Sequence, residues 1–394
     1  IYSINLDDYN DEDLVFLNGG SHAITKEITS FRNKDLGGNN PSKIIRKEAT
    51  EGREKLINEV QWILNLPEDV KEHFPKIIKY DFKTDPVYVE MEKYPMKTLR
   101  RLLMDGEITS EEALKILENV FDFMFKKIYP KGIKPAPNGL VDNIYFKRID
   151  DRLEELKRKA AIFNDIIDAK EIIINGKKFS NIKESFDKLK KNGKLIKMLN
   201  LPLVRLVHGD LHFDNILVDK KDFSKFILID PRGKMYGGGV EGDYAYDLGK
   251  VWHSLNGLYD FLHEGRFDLD VKINNETVYA NFSIFQENSL KEYKKIFSNI
   301  PDLLYKYEII KKDPYWDIRT KFNEVAHFCS MIPFHIKGDG KERLALSLYL
   351  RGTMLLNDFL DELESRPVKP RIINVNTLKD YFEAKRIFEG RNKI

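Results

Sequence analysis

The chain has 394 residues, 42% of them apolar, enough to bury a sizeable core in a globular protein of more than one domain. Its 65 basic and 63 acidic residues are interspersed and leave a net charge of +2, which argues against a nucleic-acid footprint or a polybasic membrane patch. No apolar run approaches the roughly 18 residues of a membrane span, and the single cysteine, Cys329, excludes an intrachain disulfide and fits a cytoplasmic protein.

The acidic start, Asp7 to Asp13, suggests a calcium loop, but neither register supplies both the central Gly and the final Glu, and it reads as a solvated turn. Phe16-Leu17 and Ala23 to Ile28 then predict two strands around a turn containing Gly19, Gly20 and Ser21, a shape whose backbone amides can lie over phosphates. Lys43 to Lys47 alternates charged and apolar residues as a strand does, and Leu56, Val60, Ile63 and Leu64 recur at helical spacing with Glu59 among them. Residues 74–78 and 87–92 complete a small antiparallel sheet, and Glu92-Lys93-Tyr94-Pro95 reads as a hinge out of it.

Residues 107–128 are helical by pattern, opening at Thr109-Ser110-Glu111-Glu112 in the manner of a capping box. A charged helical insert is expected over about 137–200, interrupted by a hairpin at Asn175-Gly176. The sequons Asn275-Glu276-Thr277 and Asn281-Phe282-Ser283 are most simply chance in a cytoplasmic chain.

Chemistry concentrates in Val207-His208-Gly209-Asp210-Leu211-His212-Phe213-Asp214-Asn215-Ile216-Leu217 and the following Phe226-Ile227-Leu228-Ile229-Asp230. An Asp on a tight loop after an apolar strand, an Asn shortly after it and an Asp closing the next apolar strand can orient a hydroxyl and hold magnesium for phosphoryl transfer. Hard magnesium takes oxygen ligands, so Asp210 is the expected base and Asn215 and Asp230 the expected metal ligands. The competing reading is an ordinary hairpin with polar turn residues.

These motifs resemble the catalytic signature of the aminoglycoside phosphotransferase and choline kinase-like family, small-molecule relatives of the protein kinases. A second motif, Gly242-Asp243-Tyr244-Ala245-Tyr246-Asp247-Leu248, resembles the family's G-D-P-A-Y-D-L segment, with Tyr244 in place of the usual Pro. The resemblance covers residues 204 to about 257 and implies an α+β, two-lobed, protein-kinase-like fold. A small antiparallel-sheet lobe, residues 1–93, would bind the nucleotide and end at the hinge; residues 94–394 would form a mainly helical lobe holding the catalytic loop, 204–232, and the insert. ATP and Mg2+ would lie between the lobes.

By the same resemblance Lys47, or Arg46 if the register differs by one, pairs with the α and β phosphates, and Glu59 steadies that lysine, with Glu51 and Glu54 as alternatives. The hinge residues Glu92 and Tyr94 would offer backbone to the adenine, and acidic residues of the second motif would brace the catalytic loop and start a helix.

The expected activity is an ATP-dependent small-molecule kinase acting on a hydroxylated acceptor, a sugar or polyol ahead of an amino alcohol. The stretch between Asp230 and Gly242 is too short for the peptide-docking platform of a protein kinase. Nucleotidyl transfer on the same fold and a non-catalytic nucleotide-binding scaffold are the other readings. Arg232, Asp243, Asp247, His327 and Arg351 are the candidate acceptor residues, and Arg319, Asn323 and His327 fall on one helical face as either a polar stripe or a solvated surface. Neither nucleic acid nor membrane is an expected partner.

Overall fold

The computed structural model describes residues 14–17, 23–30, 42–235, 239–336 and 342–367. The Gly19-Gly20-Ser21 turn and the acidic start lie outside the described residues. The chain divides into two compact units, one of Ile1–Lys97 with Asn215–Lys234, the other of Thr98–Asp214 with Met235–Ile394.

The first unit is built on a five-stranded antiparallel sheet of β1 (Leu14–Leu17), β2 (Ile24–Ser30), β3 (Ser42–Ala49), β4 (Ile77–Asp81) and β5 (Val87–Glu92), in the order β1-β2-β3-β5-β4. Helix α1 (Arg53–Leu64) packs Leu56 and Val60 against Ala49, Val87, Val89 and Met91, with Ile45 at the margin. Alternation along β3 sets Ile45, Lys47 and Ala49 on the α1 side and Arg46 and Glu48 on the other. That second face carries a charge ladder, Lys26 to Glu48 at 2.7 Å and Arg46 to both Glu48 and Glu90, with Arg46 also 3.7 Å above the Tyr88 ring. Leu64 belongs to the apolar pattern of α1 by sequence, yet it is exposed.

The hairpin of β6 (Ile216–Asp219) and β7 (Asp222–Leu228) belongs to this unit, whereas the sequence places it with the helical lobe. Side-chain packing gives the reason: His73 stacks on Phe226 with ring centroids 4.0 Å apart, and its Nδ1 lies 3.0 Å from the Phe226 carbonyl. The division also falls after Lys97 rather than after residue 93.

The second unit is mainly helical, with α2 (Ser110–Phe123), α3 (Lys147–Lys159), α4 (Tyr244–Leu255), α5 (Asn288–Leu304), α6 (Trp316–Met331) and α7 (Glu342–Ser365) as its longer helices. The capping box at α2 is formed in both directions: Thr109 Oγ1 accepts from the Glu112 amide at 3.2 Å and Glu112 accepts from the Thr109 amide at 2.8 Å. Helices α4 and α6 approach so closely at Gly249 that a β-carbon there would lie 2.5 Å from Asn323 Cβ.

The Asn175-Gly176 hairpin forms with φ of 51° and 78°, joining strands Glu171–Ile174 and Lys177–Phe179. An unanticipated second hairpin, Phe267–Asn274 with Thr277–Ile284, turns at Asn275-Glu276 and lays its return strand parallel to Glu171–Ile174, making a four-stranded sheet. Both turn residues have positive φ, 48° and 61°, and the second is a Glu, which hides the usual Asn-Gly signal. The fold class is therefore the α+β arrangement the sequence implies, an antiparallel-sheet unit and a mainly helical one.

Candidate active site

In the first unit, Lys47 leaves β3 on its α1 face and is buried. Its ammonium lies 2.7 Å from Glu59 Oε1 and pairs with Asp230 as well. Burial works against the charge on Lys47, but the Asp230 and Glu59 carboxylates more than offset it and hold its pKa above the ordinary lysine value. Arg46 is committed to the ladder on the opposite face, and Glu54 is exposed beside Lys234. Of the residues the sequence leaves in competition, Lys47 and Glu59 are thus the buried pair.

Asn215 precedes β6 and Asp230 follows β7, so hairpin pairing brings both to one end, where the Ile229 amide donates to the Asn215 carbonyl at 3.0 Å. Asp230 has φ of 57°, a left-handed backbone that few non-glycine residues adopt and that commonly marks functional sites. The turn that follows lies on α1: a β-carbon at Gly233 would fall 2.3 Å from the Asn58 carbonyl carbon, and φ there is 75°. Only glycine lets the chain leave Asp230 along this path.

In the second unit, Asp247 of α4 is fully buried and faces the loop that carries Asp210. It accepts from the amides of His208 at 3.0 Å and Gly209 at 2.6 Å and from the Tyr129 hydroxyl at 3.2 Å. Burial raises its pKa to about 7 against the lowering effect of these donors. Gly209, with φ of 80°, makes the tight turn, and the Phe213 amide donates to Ser254 Oγ at 3.2 Å, so α4 fixes the loop on both sides of Asp210. Asp210 is one-third exposed and has Lys250 Nζ 2.8 Å from its Oδ1. The sequence alone did not reveal this pairing, although Lys250 stands one helical turn after Asp247 and so shares its face.

The other acceptor candidates part from expectation. Asp243 caps α4, accepting from the Ala245 amide at 2.9 Å, and is held by Arg319 at 2.7 Å. Arg319 is fully buried and also pairs with Asp313 at 2.7 Å, and the Tyr244 hydroxyl donates to Asp313 at 2.7 Å. The stripe of Arg319, Asn323 and His327 is therefore neither solvated nor cleft-lining but buried in helix packing.

His327 is 1% exposed, edge-on to Tyr246, and burial holds its pKa well below the ordinary histidine value. Arg351 donates to the carbonyls of Asn256 at 2.6 Å and Gly257 at 3.2 Å, which closes the turn after α4. Asp243, Asp247 and His327 are buried and Arg351 is half-buried, each with partners inside its own unit, as buried charges and polar groups require. Arg232, two residues after Asp230, is half-buried.

At the expected hinge, the Glu92 amide already donates to the Lys76 carbonyl at 3.0 Å, and the Tyr94 hydroxyl accepts from the Lys76 amide at 3.2 Å. The Glu92 N–H is thus committed within the sheet rather than left for an adenine.

No protein-family model and no curated protein matches the chain. Among solved structures it is similar to aminoglycoside-3'-phosphotransferase of type VIII, at 16% identity and a TM-score of 0.35 over 88% of this chain and 94% of that one. It is also similar to the streptomycin–ATP complex of APH(2'')-IIa, at 12% identity and a TM-score of 0.44 over 92% and 99% of the two chains. ADP-bound APH(2'')-Ib gives 13% identity and a TM-score of 0.45 over 87% and 94%. At such values the likeness carries no argument about chemistry, which has to come from the residues of this chain.

Proposed function

We propose that the protein is an ATP- and magnesium-dependent phosphotransferase that transfers the γ-phosphoryl group to a hydroxyl of a small metabolite, a sugar or related polyol. The observation that carries the reading is Lys47 held between Glu59 and Asp230 inside one unit. A buried ammonium on two carboxylates, one of them on a strained backbone at the end of a catalytic hairpin, is costly as scaffolding and suited to phosphate and metal.

Asn215 and Asp230 offer oxygen donors at the same end of the hairpin. Magnesium is commonly bound through one or two protein oxygens with waters and substrate phosphates filling its octahedron, so this small donor set fits it. When bound, the ion would neutralise phosphate charge as the bond to the leaving group breaks. Lys47 would bind the phosphates and Glu59 would fix its position.

Asp210 would orient the acceptor hydroxyl and take its proton; the acceptor oxygen forms a bond to phosphorus as ADP departs with the electron pair. Asp247 would hold the loop so that Asp210 is in place before the acceptor arrives, which lowers the ordering cost of the step. A non-catalytic scaffold would not need Asp210, Asn215 and Asp230 together.

The test is mass spectrometry of a metabolite pool incubated with the protein, ATP and magnesium. A hydroxylated small molecule should gain a phosphate and ADP should accumulate. Nucleotidyl adducts with release of pyrophosphate, or an unchanged pool with no ADP, would overturn the assignment.

A further inference from the structure

Asp210 does not stand alone in its unit, since Lys250 Nζ lies 2.8 Å from Asp210 Oδ1. We propose that Lys250 is a catalytic residue, the cation that the transferring phosphoryl group engages once it reaches Asp210. The proposal rests on the phosphotransferase reading and adds to it a residue outside both sequence motifs.

The placement of Lys250 is specified by the fold. It lies on α4 one turn beyond Asp247, which holds the amides of His208 and Gly209, so one helix positions both the loop and the ammonium. Its side chain is only 14% exposed. Desolvating an ammonium is costly unless it is paired, and the pair here is the Asp210 carboxylate.

A role confined to pairing with Asp210 would be counterproductive, because an ammonium on a carboxylate makes it a poorer proton acceptor. Phosphoryl transfer resolves the conflict. The transition state spreads negative charge over the equatorial oxygens of the phosphoryl group, and preorganised cations at that point are usually the largest single source of catalysis.

As the hydroxyl reaches Asp210, the phosphoryl oxygens it will join come within reach of the same ammonium. Lys250 then moves from Asp210 to the phosphoryl group and leaves the carboxylate free to accept the hydroxyl proton. The new bond runs from acceptor oxygen to phosphorus, the old bond to ADP breaks with its electron pair, and the proton leaves through Asp210 while Lys250 stays charged throughout. Of the neighbouring histidines, His212 Nε2 is 3.9 Å from Asp210 Oδ2, farther than Lys250, and burial, reinforced by Lys250, keeps His253 well below the ordinary histidine pKa.

The experiment uses water as the acceptor, so no substrate need be known: ADP release from magnesium-ATP by the full chain, with magnesium-ATP affinity by calorimetry and melting temperature recorded alongside. Lys250→Met and Lys250→Gln should lower kcat by about 10²-fold with nucleotide affinity changed less than about 3-fold, and Lys250→Arg should recover much of the rate by keeping the charge. Unchanged kcat in the neutral variants would overturn the inference, as would equal losses in the Arg and neutral variants that track melting temperature. A wild-type protein that neither binds magnesium-ATP nor releases ADP would instead remove the phosphotransferase reading and this inference with it.

Discussion

Lys47 Nζ lies 2.7 Å from Glu59 Oε1, joining the third strand of the sheet to helix α1 within the first unit. Asp230 completes the set from the far end of the hairpin, and Gly233 lets the chain pass over the α1 backbone directly after it. Three separate segments thus converge on one ammonium. Such a constellation is sensitive to single substitutions in ways a surface ion pair is not.

Lys47→Met should weaken magnesium-ATP binding about 10-fold or more, since the phosphates lose their charged partner and Glu59 loses its own. Arg46→Met removes a charge on the opposite face and should change affinity less than about 3-fold. Calorimetric titration with magnesium-ATP distinguishes them, and the reverse ranking would mean that the other face of β3 meets the nucleotide.

Asp210→Asn should cost about 10² to 10⁴ in turnover while magnesium-ATP affinity stays close to wild type, because a base acts on the acceptor and not on the nucleotide. Steady-state ADP release with calorimetry on the same preparation checks both halves. Near-normal turnover would assign the base elsewhere.

How far the sequence foretold the molecule depended on whether a signal was local. The Thr109 capping box, the Asn175-Gly176 hairpin and the strand-loop-strand around Asp210 are contiguous patterns, and each has the expected form. The Asn275-Glu276 hairpin carries no such pattern, because a Glu stands where Gly is usual. Burial is harder to read: nothing in one dimension shows that Arg319 and Arg351 are held by Asp243, Asp313 and the carbonyls of Asn256 and Gly257, which come from other elements. The choice between Lys47 and Arg46 likewise needed the side of β3 that α1 covers.

Gly249→Ala tests the tight α4–α6 contact that underlies Asp247. The added carbon would lie 2.5 Å from Asn323 Cβ and 3.1 Å from the Glu324 amide nitrogen, so helix movement is forced and should cost about 1–3 kcal/mol in urea unfolding. Gly193→Ala, where nothing lies within 4 Å, is the control and should stay within about 0.5 kcal/mol. If the two variants unfold alike, the helices are not in contact at this point.

Glu324 offers a pH-dependent test of the same packing. Burial raises its pKa to about 8 despite the Asn256 amide 3.1 Å from both carboxylate oxygens, whereas an unfolded glutamate titrates near about 4.3. Between those values the folded form holds a proton that the unfolded form has lost, so stability falls as pH rises, by up to about 1.4 kcal/mol per pH unit. Asp247 and Asp260, both raised to about 7 by burial, act in the same direction up to that pH. His253 and His327, held well below the ordinary histidine value, act oppositely, but only below about pH 6.5. From about pH 6.5 to 8 the carboxyl effect is therefore unopposed by these histidines. Glu324→Gln is neutral at every pH and should gain about 1–2 kcal/mol on the wild type across that window, read from urea unfolding at its two ends. Parallel stability curves for the two proteins would mean that Glu324 is ionised in the folded state.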